Sequence, residues 1–253
     1  MWPFPRRETT EHLYRTDYFA QKEKIGGYVD YRSAEALKRL SFAEILPTLA
    51  GIRTTPGRLL DVGAAYGTFL DVAREAGWRT EGIELNEAAA ADASSRGHKM
   101  VCGAFPDALS GFSGEFDVVT MFDVVEHLED PLRASLLLRE RIAAGGAVVM
   151  VTPNFSGRYR RLLGRNWPHF KPAEHLWYFR PDSIRALLLK AQFQEVAVRR
   201  FYKTVSVAYL AKAIGKQEGL VGRVARLLNR VVGPIRDRPI RLYMDEMIVT
   251  ARR

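Results

Sequence analysis

The run Leu59-Leu60-Asp61-Val62-Gly63-Ala64-Ala65-Tyr66-Gly67-Thr68 constrains this chain more than any other stretch. An apolar segment broken by one acid leads directly into a turn of small residues, and the turn opens into a second apolar stretch with helical spacing. A buried strand that enters such a turn and then a helix is the opening unit of an open α/β sheet. Ligands in that architecture bind beyond the carboxyl ends of the strands, near the point where strand order reverses. Glycine or alanine is needed wherever a ligand approaches the backbone closely, and Gly63, Ala65 and Gly67 are spaced to make such a surface.

The rest of the chain repeats the rhythm. The first strand is expected over 58–62 and its helix over 66–76, stopped by Gly77. Further strands are expected over 78–84, 98–102, 116–121 and 147–152, and further helices over 87–96 and 131–144, the latter with Pro131 in its first turn. A helix over 181–191, a strand over 193–201 and a final strand over 241–250 complete the series. One helix over 33–50, with Ser33 as N-cap, is expected to precede it. This alternation predicts an α/β fold: a doubly wound, mainly parallel seven-stranded sheet with helices on both faces, Rossmann-like in character.

The flanks define the remaining organisation. Residues 1–32, which carry Trp2, Phe4, Tyr14, Tyr18 and Phe19, read as an aromatic cap on a single domain over 33–253. Residues 153–180 read as an irregular lid, with Asn154, Tyr159, Arg160, Arg161, Arg165, Trp167 and His169 offering contacts to an anionic or sugar-like acceptor. Residues 203–240 read as a basic insertion. Within it, Leu220, Val224, Leu227, Leu228 and Val231 share one helical face, and Arg223, Arg226 and Arg230 the other. A basic amphipathic helix of that kind fits either peripheral membrane contact or a solvated cover on its own domain.

The single cysteine, Cys102, excludes an intrachain disulfide and points to a reducing compartment. No apolar run approaches the length of a membrane span, and residues 1–12 carry no signal-peptide core. The expectation is a cytoplasmic protein, with attachment at a membrane surface through 203–240 as the variant. The net charge of +9 suits an anionic partner. Basic residues are not clustered with stacking aromatics, which argues against nucleic acid.

Two acids discriminate among ligands. A dinucleotide fingerprint G-x-G-x-x-G would place its third small residue at Thr68, a misfit. Asp61, at the strand end, is unfavourable beside a diphosphate and favourable beside the α-ammonium of a methionine moiety. Glu84, at the end of the second strand, can accept hydrogen bonds from both ribose hydroxyls. Together they favour S-adenosylmethionine (SAM).

These residues resemble the class I SAM-dependent methyltransferases. Asp61 to Gly67 matches that family's acid-x-G-x-G-x-G motif, with Ala65 replacing the middle glycine, and Glu84 matches its ribose-binding acid. The resemblance implies that Leu85 adjoins the ribose, that Ala104 and Phe105 lie by the adenine, and that Met121 and Phe122 lie near the sulfonium. The segment Asp123-Val124-Val125-Glu126-His127-Leu128-Glu129-Asp130-Pro131 further resembles the ubiquinone-biosynthesis O-methyltransferase branch, as do Thr152-Pro153-Asn154 and Glu174-His175-Leu176-Trp177. That resemblance implies methyl transfer at oxygen of a small-molecule, glycan or lipid-linked acceptor.

His127 suits a general base at neutral pH. Alternatively, Asp123, Glu126, His127 and His175 resemble the divalent-metal set of the small-RNA 2'-O-methyltransferases, which implies an ion such as Mg and an RNA acceptor as the competing function. A structural role, in which Glu126 and His127 order their loop by hydrogen bonds, fits the same residues, and a non-catalytic Rossmann-like binding protein is the third reading. His12, His98 and His169 have no partner pattern and read as surface or structural.

Overall fold

The computed structural model describes residues 31–207 and 238–253. Seven strands form one sheet in the order β3-β2-β1-β4-β5-β7-β6. They are β1 (Arg58–Val62), β2 (Arg79–Glu84), β3 (Lys99–Cys102), β4 (Phe116–Phe122), β5 (Ile142–Pro153), β6 (Gln194–Ser206) and β7 (Pro239–Arg252). The first five pair in parallel. The sheet turns antiparallel only at β7, which lies between β5 and β6.

Helices cover both faces. They are α1 (Tyr31–Ala43), α2 (Leu46–Ile52), α3 (Thr68–Glu75), α4 (Glu87–Ser95), α5 (Pro131–Glu140), α6 (Arg158–Leu163) and α7 (Pro181–Lys190). Alternate residues of each central strand enter different cores. Leu60, Val62, Val119, Met121, Val148 and Met150 pack with Leu138 of α5 and Ile184 and Leu188 of α7. Leu59, Val118, Val149 and Val151 pack with Leu49 of α2 and with Phe69 and Leu70 of α3. Burial on both sides is why these strands read as nearly continuous apolar runs.

The ends of the elements depart from the sequence expectation in four places. The helix expected over 33–50 is two helices, because Pro47 lacks an N–H and its ring would clash with the Ala43 carbonyl; it sits instead in the first turn of α2. The helix expected over 131–144 ends at Glu140, and β5 begins at Ile142, which pairs with Phe116. Gly145, at φ +74°, allows that strand its irregular start. Pairing of β6 with β7 continues through Lys203, Thr204 and Ser206 to Pro239, so both edges of the expected 203–240 insertion are sheet. The expected lid contains a helical turn, α6, and is not wholly irregular.

Residues 1–30 of the cap expected over 1–32, and the whole amphipathic helix expected over 220–232, lie outside the described residues. Among the described residues, no helix is long and apolar enough to cross a membrane.

Candidate active site

The turn after β1 is built by backbone conformation. Gly63, Ala65 and Gly67 have φ of +78°, +49° and +73°. The amides of Gly63 and Ala64 both donate to the carbonyl of Ile83, at 2.8 and 3.0 Å, which ties the turn to β2. A Cβ on Gly63 would stand 2.5 Å from Cγ2 of Val124, and one on Gly67 would stand 2.9 Å from the Ala93 Cβ. Both glycines are thus required by φ and by contacts within the protein. At Gly67 the close neighbour is α4.

Two carboxylates close the carboxyl ends of β1 and β2. Asp61 is 3% exposed, and its Oδ1 accepts the Thr120 hydroxyl at 2.6 Å. Burial pushes its pKa up to about 7; the Thr120 bond opposes the shift and the nearby Glu84 charge adds to it. Glu84 is 8% exposed and accepts the amides of Ala65 and Asn86, each at 2.8 Å. Burial raises its pKa too, against those backbone bonds. Asn86 also caps α4, its side chain accepting from Ala89 N at 3.0 Å.

The other residues expected around a nucleoside divide. Ala104 and Phe105 follow β3, with Phe105 packed against the core, and Leu85 follows Glu84 at partial exposure. Met121 is 1% exposed within the core beneath α5 and α7, so its side chain cannot reach the strand edge and only its backbone can line a ligand. Phe122 points to the opposite face, edge-on to Phe69 at 4.7 Å and near Phe42 at 5.7 Å.

Past β4, a 3-10 turn over Val125–His127 presents the second cluster. Glu126, His127 and His175 each place a ligand atom within 4.8 Å of the others. Glu126 is 1% exposed; its Oε2 accepts the Thr152 hydroxyl at 3.0 Å, and its buried Oε1 has no hydrogen-bond partner. The Glu126 carbonyl accepts the amides of Leu176 and Trp177, which brings the later His175 alongside. His127 Nδ1 lies 2.8 Å from the Glu174 carbonyl, so the neutral ring donates there and carries its lone pair on Nε2. The two imidazoles meet edge to face at 4.7 Å, and the buried His175 Nδ1 has no partner.

Burial dominates the titration of this cluster. It pushes Glu126 well above the usual carboxylate range, with the Asp123 charge adding to it. It lowers His127, and it lowers His175 to about 3 with help from His127. Both rings are neutral at physiological pH.

Asp123 does not join that cluster, which corrects the four-ligand expectation. Its backbone turns at φ +55°, and its carboxylate reaches Lys203 Nζ at 3.2 Å. Lys203 also binds Glu246, a fully buried acid of β7. Burial alone would lower the Lys203 pKa; the Asp123 and Glu246 carboxylates outweigh it and raise it. Burial lifts Glu246 to about 7 against the lysine's opposing charge.

The methyltransferase domain family matches residues 28–198 of the chain. The chain belongs to that family. Two curated relatives are ubiquinone biosynthesis O-methyltransferases. The one from Caulobacter sp. (strain K31) is 28% identical over 145 residues, covering 52% of this chain and 57% of the relative. The one from Pseudomonas aeruginosa (strain UCBPP-PA14) is 29% identical over 105 residues, covering 38% and 44%. The matched stretch thus spans about half the length of these relatives.

Solved structures agree on the fold. A SAM-dependent methyltransferase from Archaeoglobus fulgidus superimposes with a TM-score of 0.62 at 20% identity, covering 94% of this chain and all of that one. The magnesium protoporphyrin IX methyltransferase of Synechocystis PCC 6803 with bound SAH gives 0.63 at 14% identity, covering 98% and 100%. The fold is that of the SAM-dependent methyltransferases.

Thr120, Lys203 and Glu246 were not singled out by the sequence, and Thr152 was marked only as part of a segment, without its bond to Glu126. Glu246 carried a signal: it is an acid inside a strand otherwise built for burial, and such a charge needs a partner. His98, read as structural, bridges Asp71 at 2.9 Å and Thr80 at 2.7 Å. His169 is packed on Trp167, and Trp167 is 2% exposed, which corrects the expectation of an acceptor contact there: the ring is sealed within the protein. Arg160 lies over Phe155 at 4.4 Å.

Proposed function

We propose that this chain transfers the methyl group of SAM to an oxygen of a small-molecule, glycan or lipid-linked acceptor. The observation that carries the reading is the pair of buried acids, Asp61 and Glu84, at the carboxyl ends of adjacent strands beside the sheet's switch point. Neither acid has a cationic side chain as hydrogen-bond partner among the described residues: Asp61 is held by a hydroxyl and Glu84 by amides. Their raised pKa values express that uncompensated charge, and a ligand with an ammonium group relieves it.

SAM supplies a methyl group on a sulfonium that is itself a good leaving group. Asp61 would hold the ammonium, directly or through water, and the remaining lone pairs of Glu84 would accept the ribose hydroxyls. Leu85, Ala104 and Phe105 would flank the nucleoside, with the Gly63–Gly67 turn beneath it.

Transfer to oxygen needs an acceptor held in line and relieved of its proton. His127, neutral and oriented by the Glu174 carbonyl, can take that proton on Nε2. The likeness to two O-methyltransferases supports oxygen as the target.

A specific observation favours a divalent ion at the same cluster, and two imidazoles suit a transition metal such as Mn or Fe better than the expected Mg. Glu126 Oε1 and His175 Nδ1 are both buried without partners, and one carboxylate with two neutral imidazoles is a donor set such ions accept. A bound ion there would lower the pKa of an acceptor hydroxyl. Glu126, His127 and His175 would hold it.

The reading is tested by incubating the protein and a cell extract with deuteromethyl-SAM and searching for labelled products by mass spectrometry. A labelled small molecule or lipid, absent with the Glu84→Gln variant, supports it. No labelled product of any class overturns it.

A further inference from the structure

We propose that the groove between α6 and the β6–β7 pair binds a phosphoryl or diphosphoryl group, carried by the methyl acceptor. The word acceptor rests on the function proposed above; the anion site does not. The groove encloses about 710 Å³, within the range of small-ligand sites. Arg158 and Arg161 line it from α6, Arg199 and Arg200 from β6, and no Asp or Glu lines it at all.

The absence of acids sets this groove apart from the surfaces where arginines of this chain meet carboxylates. Arg39 binds Glu75, Arg53 binds Asp117, Arg58 binds Glu81 and Arg241 binds Glu44. Among the described residues, Arg158, Arg161 and Arg199 make no ion pair, and Arg200 lies over the Tyr243 ring at 5.4 Å. Along β6, Arg200 shares the face of Val198 and Met247, while Arg199 alternates to the other face. Arg158, Arg161 and Arg200 therefore bring three guanidinium groups to one concavity, where they repel one another and an anion of two or three charges offsets that repulsion. Arginine forks match phosphate oxygens two at a time, which suits a phosphoryl or diphosphoryl group. Val198 and Met247 give the groove an apolar floor.

The groove is linked to the Glu126–His127–His175 cluster through β5. Asn154 sits on its rim, only two residues beyond Thr152, whose hydroxyl binds Glu126. Two residues of extended chain span about 7 Å at most. A group anchored by the arginines therefore leaves the rest of its molecule within reach of Glu126, His127 and His175.

The test is calorimetric titration of inorganic pyrophosphate at low salt into the wild-type protein and into the Arg158→Gln/Arg161→Gln double variant, with SAM titrated into both. The proposal expects a wild-type Kd at or below about 1 mM, at least about tenfold weakening in the variant, and SAM affinity unchanged within about twofold. Absence of pyrophosphate binding by the wild type, or equal binding by the variant, overturns it. Sedimentation with phosphatidylglycerol vesicles separates the sources of the phosphate. Vesicle binding that pyrophosphate displaces supports the groove as reader of a lipid headgroup. Vesicle binding that depends on the arginines yet persists in excess pyrophosphate overturns the proposal in favour of a flat charged surface. Pyrophosphate binding without SAM binding would sink the methyltransferase reading and leave the anion site standing.

Discussion

The Glu84 carboxylate accepts the amide of Ala65 at 2.8 Å, across the gap between β2 and the turn that follows β1. One acid therefore shapes the turn it shares with the proposed nucleoside site. Ala65 adopts φ +49° there, which explains why alanine serves at a position where glycine is the easier choice: its amide is fixed by a charged acceptor.

Asp61 makes SAM affinity depend on pH. Its pKa, raised to about 7 by burial, leaves about half the protein protonated at that pH and unable to attract an ammonium. Affinity should fall by up to about tenfold per pH unit below 7 and level off above 8. In Asp61→Asn the dependence should flatten and affinity should be low throughout. Calorimetry between pH 5.5 and 8.5 measures both.

The same shift acts on stability, with the opposite pH sense. A carboxyl whose folded pKa exceeds its unfolded value of 3.8 favours folding below that value, and the contribution is lost as pH rises through about 7. The ligand-free Asp61→Asn variant should therefore gain melting temperature relative to wild type as pH is raised from 5 to 8. A difference constant with pH would contradict the buried, uncompensated acid.

Gly63→Ala should destabilise the ligand-free protein by about 1–3 kcal/mol, since the new methyl meets Val124 at 2.5 Å and the backbone is at φ +78°. Thermal unfolding at pH 7 checks it. Gly145→Ala offers the comparison: its φ of +74° is similar, but nothing lies within 4 Å. It should cost less.

Lys203→Met should cost up to about 3–5 kcal/mol at pH 8, because Glu246 loses the lysine and must either stay ionised while buried or take up a proton. Glu246, at a pKa near 7 even with the lysine present, would protonate more readily without it. The loss should shrink toward pH 5, and denaturant melts at the two values would show this.

If the Glu126–His127–His175 cluster holds an ion, activity should fall with excess EDTA and return with Mg or Mn. Glu126→Gln should weaken that rescue by at least about tenfold while SAM binding persists. Full activity in EDTA would leave His127 as a metal-free base.

The sheet was legible because β1, β4 and β5 are covered on both faces and so read as apolar runs bounded by small residues and acids. The acids Asp61 and Glu84 stood out for the same reason: each is a charge at the end of such a run. What could not be read was geometry between distant segments. Alternation along β4 separates Met121 from Phe122, but only the helices above and below decide that Met121 is sealed into the core. Asp123 is next to Glu126 in motif terms, yet its left-handed backbone turns it to Lys203 of β6, 80 residues away. The helix break at Pro47 was written in the sequence, since proline cannot continue a helix across its own missing bond.

The central claim is that a cationic nucleoside sits between Asp61 and Glu84, and calorimetric titration of SAM tests it most directly. Wild type should bind SAM, and Glu84→Gln should bind it about 10–100-fold more weakly, as expected for losing one or two hydrogen bonds to a charged acceptor, with its unfolding still cooperative. No binding by the wild type at millimolar SAM, or equal affinity in the folded variant, would contradict the account.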